Sequence, residues 1–334
     1  MLLCGYGGGN GVTFRVGIAQ INPRLGDLKA NLALYEEKIR QGEKAGVDLL
    51  LFPELSLTGY FLRDMVPNVA LKLASPEIER LKKLSRKTSF VAGLVEESSD
   101  YRFYNAAVYF EAGEIRHVHR KVYLPTYGMF DEQRYFARGD RVRAFDSKFG
   151  RAAVLICEDL WHPSTAYLAA LDGAAVVLCP STSPLRGITD QQPQDDNARY
   201  WELINQAYAE TYGMFVIYGN RVGFEDGVGF WGGSEIVAPS GRRTAKAKYY
   251  DEDFVVGEVN LDLVRRKRTM APLLRDEDLD LTINELMRIR ERPADKESRT
   301  QEAVGRRQKA KGRRQQERGR KKTGKRKKVK VKRQ

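Results

Sequence analysis

The chain has 334 residues, 42% of them hydrophobic, which suits one large domain or two small ones around a sizeable core. Its net charge of +13 is local: residues 301–334 hold 17 Lys/Arg and two Glu, a surplus of +15 that leaves the other 300 residues at −2. An overall basic character is therefore excluded for the body of the protein, and a disulfide framework is excluded by three cysteines (Cys4, Cys157, Cys179) at no metal-type spacing. That cysteine usage points to a reducing, cytoplasmic compartment. No apolar run is long enough to span a membrane, so no membrane insertion is expected. The start MLLCGYGGGNGVTF lacks the basic and apolar regions of a signal peptide.

Residues 1–13 are Gly-rich and read as a flexible extension. The GYGGGNG run has no preceding strand and no following GK[ST], so it does not read as a phosphate loop. Residues 14–20 alternate with period two and predict a strand; 27–45 carry apolar residues at helical spacing and end at Gly46. Strands follow at 47–52, 89–95, 104–111 and 115–119, with a helix at 76–87 and a turn at Gly113. The second half reads strand 152–156, helix 164–171, strand 174–179, helix 195–211 and strand 214–220. Strands at 234–238 and 254–260 complete it, and 261–268 and 279–290 are closing segments. Alternating strands and helices with some direct strand pairs indicate an α/β fold with a mixed sheet. The apolar period vanishes after Arg290. The tail from 296 cannot bury enough surface to offset its ordering entropy and is expected to be disordered. Its Lys/Arg run would hold polyanions without sequence choice, and no interleaved aromatic suggests base stacking.

Three predicted strands end on ionisable residues of complementary character. Residues 47–52 run into Pro53-Glu54, 115–119 into Arg120-Lys121, and 152–156 into Cys157-Glu158-Asp159. A carboxylate, an ammonium and a thiol at strand ends make a candidate nucleophilic site. Taken singly, Cys157 and Cys179 suit packing, Glu54 a helix N-terminus and Lys121 the surface. His117 and His119 share one strand face, but no third metal ligand is apparent, and His162 reads as pocket wall.

The segments FPELSLTGY (52–60), HRKVYLPTYGMFDEQRYFARGD (119–140) and LICEDLW (155–161) occur in the order and spacing of the nitrilase superfamily of carbon–nitrogen hydrolases. Over roughly residues 14–285 the chain resembles that superfamily, and LPTYGMFDEQRYF and CED look most like the glutaminase domain of glutamine-dependent NAD synthetase. The resemblance implies a four-layer α-β-β-α sandwich over 14–290, pairing as a homodimer through helices beside the nucleophile, and no metal or cofactor. It implies a triad of Glu54, Lys121 and Cys157, with Glu132 positioning the lysine. Cys157 would form a thioester, Glu54 would act as general base then acid, and Lys121 would stabilise the oxyanion with the Glu158 N–H. Tyr60, Tyr127, Glu158, Trp161 and the loop 180–187, with Ser183 and Arg186, are the candidate substrate-binding residues. Counterparts of Tyr127 and Glu158 hold glutamine in the glutaminase domains. From its loop position, Arg186 would meet a carboxylate. Two departures qualify the glutamine reading: PSTSPLRG replaces an Asn-Ala-Ser-Pro-like loop, and no Ser-Gly-Gly-x-Asp-Ser pyrophosphatase loop occurs. Glu-Asp after the nucleophile also differs from the Trp-Glu of nitrilases proper and from typical carbamoylases. The sequence therefore predicts a stand-alone amidase acting on a small carboxamide. The alternatives are a glutaminase feeding a separate synthetase, or a polyanion-binding protein on an inactive scaffold.

Overall fold

The computed structural model describes residues 11–186 and 196–292. The expectations for residues 1–10 with Cys4, for Gly187, for Asp195 and for the tail from 296 lie outside the described residues. The chain divides into two compact units after Asp276. The first begins β1 (Thr13–Gln20), α1 (Leu28–Lys44), β2 (Leu49–Leu51), α2 (Val66–Val69), α3 (Pro76–Leu84), β3 (Ser89–Glu97), β4 (Phe103–Glu111) and β5 (Glu114–Arg120). It continues with α4 (Glu132–Tyr135), β6 (Ala144–Ser147), β7 (Gly150–Val154), α5 (Glu158–Trp161), α6 (Pro163–Leu171), β8 (Val176–Ser181) and α7 (Asp196–Tyr212). Then come β9 (Phe215–Asn220), β10 (Val222–Glu225), β11 (Val228–Trp231), β12 (Glu235–Val237), β13 (Arg243–Lys246), β14 (Asp253–Asn260) and α8 (Leu261–Met270). The second unit carries α9 (Leu279–Glu291), capped by Asp278, whose side chain accepts from Leu281 N.

Two six-stranded sheets form, ordered β14-β1-β2-β3-β4-β5 and β13-β12-β9-β8-β7-β6. β1, β2 and β3 run parallel in the first, as do β7, β8 and β9 in the second. Alternate strand residues point to opposite faces, and this sorts the core into three layers. Val16, Ile18, Leu49 and Leu51 meet Val154, Ile156, Leu178 and Ile217 between the sheets. Leu50, Phe90 and Val108 face outward against Tyr35 and Ile39 of α1 and Ile78 and Leu81 of α3. Val177, Cys179, Val216 and Tyr218 face the other way, against Ala166, Ala169 and Ala170 of α6 and Trp201 and Ile204 of α7. Three buried layers separate four structural ones, so the α-β-β-α sandwich is present. Cys179 belongs to the outer layer, where burial pushes its thiol well up.

Helix starts follow local chemistry. Asp27 accepts from Ala30 N at 3.0 Å, and Ser75 precedes Pro76 at the first turn of α3. Differences from the sequence expectations concentrate where elements are short. β2 spans three residues rather than 47–52, and β7 stops at Val154, where Leu155 N and Cys157 N still donate to Leu178 O and Pro180 O but Pro180 has no N–H to return. The strands β6, β10, β11 and β13 and the four-residue helices α2, α4 and α5 escape prediction, since four residues barely establish a period. No helix among the described residues is long and apolar enough to cross a membrane.

Candidate active site

The ends of β2, β5 and β7 deliver Glu54, Lys121 and Cys157 to one place. Glu54 sits in a tight turn after Pro53, with Leu55 at φ +48° and Thr58 N donating to Leu55 O at 3.0 Å. β3 passes directly beneath this turn at Gly93. A Cβ there would lie 2.4 Å from Pro53 O and 2.5 Å from Leu55 N, so only glycine admits the approach. Lys121 leaves β5 with its N–H on Asn105 O (2.9 Å) and its carbonyl accepting from Gly139 N (2.8 Å).

The Lys121 ammonium is 1% exposed and bridges two buried carboxylates: Nζ lies 2.6 Å from Glu54 Oε1 and 2.7 Å from Glu132 Oε1. Asn105 Nδ2 also donates to Glu54 Oε1, at 2.8 Å, and the Tyr60 hydroxyl donates to Glu132 Oε1. Glu54 Oε2 and Glu132 Oε2 are buried with no hydrogen-bond partner among the described residues. Burial alone would lower the Lys121 pKa, but Glu132, Glu54 and Cys157 outweigh it and hold the ammonium well above its usual range. Lys121 is therefore a fixed cation and a donor rather than a base. Glu132 is pushed up to about 7, first by burial and then by the Glu54 charge, against the pull of Lys121.

Cys157 occupies a strained elbow, φ +43° and ψ −104°, immediately before α5. Its N–H donates to Pro180 O (3.0 Å) and its carbonyl accepts from Leu160 N (2.9 Å). A β-carbon at positive φ stores strain that the surroundings must hold. Asp159, fully buried, does that holding. Its Oδ1 accepts from Val122 N and Tyr123 N at 2.9 Å each, just beyond Lys121. Its Oδ2 accepts from Ile156 N at 3.1 Å, just before Cys157, and meets His119 Nε2 at 2.8 Å. One carboxylate thus ties the Lys121 segment to the Cys157 segment. The Thr182 hydroxyl donates to Glu54 O at 2.9 Å and ties in the third. Burial and the Glu54 charge push the Cys157 thiol well up, while Lys121, the Ser181 hydroxyl and the Thr182 N–H pull it back.

Residues 15–269 match the carbon-nitrogen hydrolase family. The chain belongs to that family. Among curated proteins, a glutamine-dependent NAD(+) synthetase of Thermotoga maritima is 34% identical over 255 residues, covering 74% of this chain and 42% of the synthetase. This carbon–nitrogen hydrolase therefore spans less than half the length of that relative. An N-carbamoylputrescine amidase of Arabidopsis thaliana is 27% identical over 274 residues, covering 76% of this chain and 89% of the amidase. Among solved structures, a carbon-nitrogen hydrolase from Helicobacter pylori G27 superposes with a TM-score of 0.75 at 27% identity, covering 82% of this chain and 98% of that one. The nitrilase-superfamily resemblance stands, and with it the hydrolase class.

The hydrolase's remaining predicted residues fall around Glu54, Lys121 and Cys157 in different ways. The Tyr127 hydroxyl donates to both oxygens of Glu158 (2.9 and 3.0 Å), and the Arg186 guanidinium lies 4.8 Å from the Phe130 ring and 5.9 Å from Tyr127. Tyr127 and Glu158 also wall a cleft of about 620 Å³ that runs along residues 122–126 to Arg138 and His162. His162 stacks on Tyr123 at 3.5 Å. Trp161 packs on Tyr200 and Trp201, and the Ser183 hydroxyl is occupied by Trp201 Nε1 (2.9 Å) and Asn197 Nδ2 (3.2 Å). Both therefore pack on α7 rather than present free polar atoms. His117 stacks on Phe145 and His119 is spent on Asp159, so the two histidines do different structural work. Sequence reasoning passed over Asn105 and gave Asp159 no role. The signal for Asn105 was there: a single carboxamide inside the apolar strand FYNAAVYF.

Proposed function

We propose that this carbon–nitrogen hydrolase is a thiol amidohydrolase that converts a small carboxamide to carboxylate and ammonia. The observation that carries the reading is the buried Glu54–Lys121–Glu132 bridge beside Cys157, with Glu54 Oε2 left unpartnered. Glu54 takes the Cys157 proton as sulfur attacks the carbonyl carbon. It then returns that proton to nitrogen as the C–N bond breaks and ammonia leaves. Water attacks the thioester, loses its proton to Glu54, and the C–S bond breaks to release the acid. Two of the three Lys121 N–H donors serve Glu54 and Glu132, and the third remains for the oxyanion. The Glu158 N–H, first in α5 and without an intrahelical acceptor, is the second donor. Glu132 fixes the lysine and is itself fixed by Tyr60.

Tyr127, Glu158 and Arg186 support a second, finer reading in which the amide is glutamine: a carboxylate and a guanidinium flank the site as an α-amine and an α-carboxylate require. In that reading the ammonia passes to a separate synthetase. Residues 14–290 would form the catalytic domain, and 301–334 would supply polyanion attachment dispensable for turnover. Leu168 on α6 and Leu203 on α7 are exposed on the helices that cover the second sheet, which supports homodimer pairing there.

Ammonia release from a panel of carboxamides and nitriles, including glutamine and asparagine, tests the reading, with Cys157→Ala as control. Release from one amide class that disappears in the variant supports it. Retained release in Cys157→Ala overturns it, and loss of turnover on deleting 301–334 moves the function to the tail.

A further inference from the structure

Behind the nucleophile lies a hydroxyl pair that the triad does not use. Ser181, at the end of β8, donates to Cys157 Sγ at 3.3 Å, and the Tyr218 hydroxyl on β9 donates to Ser181 Oγ at 3.3 Å. In the parallel register Tyr218 lies opposite Cys179, two residues before Ser181, so both side chains leave the sheet on one face. Ser181 and Tyr218 are fully buried, while Cys157 stays part-exposed at the end of the row. Tyr218 is fully buried and stacked between Trp201 (4.5 Å) and Trp231 (5.9 Å), so its ring has no room to swing away.

We propose that Tyr218 and Ser181 form a one-way hydroxyl relay that stabilises the Cys157 thiolate, both as attacking group and as the group expelled when the thioester is hydrolysed. The proposal rests on Cys157 being the nucleophile. Direction follows from the donor inventory. Burial pushes Tyr218 well above its usual range, so it keeps its proton and donates. Ser181 has one proton; having accepted from Tyr218, it directs that proton at sulfur. A thiol sulfur is a weak acceptor and a thiolate a strong one, so the donated bond strengthens as negative charge develops. When water breaks the thioester, the C–S electron pair returns to a sulfur already facing a donor. No proton crosses the relay. Ser181 touches the reacting atom, and Tyr218 is a positioning residue acting through it.

The test is the pH dependence of iodoacetamide alkylation of Cys157 in the full chain, beside kcat and KM for the best amide. Ser181→Ala is expected to raise the apparent alkylation pKa by about one unit, which is about ten-fold less thiolate at a given pH. kcat should fall by a similar factor with KM unchanged. Ser181→Thr, which keeps the hydroxyl, should restore the profile. Tyr218→Phe, which keeps the ring stack, should shift it in the same direction by less. Alkylation profiles of Ser181→Ala and Tyr218→Phe that superpose on the unsubstituted protein overturn the relay; should Ser181→Ala fail to fold, Tyr218→Phe alone decides. Failure of the underlying reading looks different: Cys157→Ala would then still turn over.

Discussion

Replacing Asp159 by Asn changes one atom and should disconnect the nucleophile from the lysine. The carboxylate accepts four hydrogen bonds: two on Oδ1, from Val122 N and Tyr123 N, and two on Oδ2, from Ile156 N and His119. An amide keeps one carbonyl. In the better orientation that carbonyl serves Val122 and Tyr123, and the NH2 group confronts the Ile156 N–H, donor against donor. His119 can adapt by presenting an acceptor nitrogen; a backbone N–H cannot. The flipped orientation is worse, setting the NH2 against two backbone donors. A lost bond to a charged acceptor together with a buried unpaired donor costs about 3 kcal/mol. In a domain of this size that corresponds to a fall in Tm of roughly 6–12 °C. Ile156 adjoins the strained Cys157 elbow, so relaxation there displaces Sγ. A misplacement near 1 Å costs about 10²-fold in rate. Thermal unfolding gives the first quantity, and ammonia release measured well below Tm gives the second. A stable Asp159→Asn protein with unchanged kcat would refute the idea that this carboxylate holds the elbow.

Three further outcomes are expected. Lys121→Met leaves Glu54 and Glu132 facing each other unneutralised in a buried site; turnover should fall by at least about 10²-fold, and denaturant unfolding should record a loss of about 3–5 kcal/mol. Gly93→Ala should force the Glu54 turn off β3, so that soluble expression or Tm drops sharply while far-UV dichroism of any folded fraction is retained; a Tm equal to that of the unsubstituted protein would contradict the 2.4 Å approach. Burial and the neighbouring His119 pull His117 down to about 4. The unfolded chain titrates near 6.5, so it binds the extra proton first as pH falls, and stability is lost between pH 6.5 and 4 by about 2–3 kcal/mol. His117→Phe, which keeps the stack on Phe145, should flatten that part of an acid-unfolding curve; an unchanged slope counts against it.

Much of the site is written locally. Glu54 and Cys157 each follow an apolar run, because a strand buried on both faces can carry an ionisable group only where it ends, whereas Lys121 follows the part-exposed edge strand β5. That is a short-range constraint, legible in a few residues, and so were the period-two strand from residue 14 and the helix from residue 27. The order of strands is not local. Lys121 reaches Glu54 across 67 positions, and Asn105 joins them only because β4 lies between β3 and β5. Asp159 could be seen as a carboxylate after Cys157, but three of its four donors come from residues 119–123, 36 to 40 positions away, and Ser181 meets Tyr218 only through the β8–β9 register. Strand-end chemistry and the family motifs thus picked out Glu54, Lys121 and Cys157 as candidate reacting groups from sequence alone. Their partners were decided by tertiary structure, because hydrogen bonds to a buried charge are satisfied by whatever the packed sheets bring within 3 Å, wherever it stands along the chain.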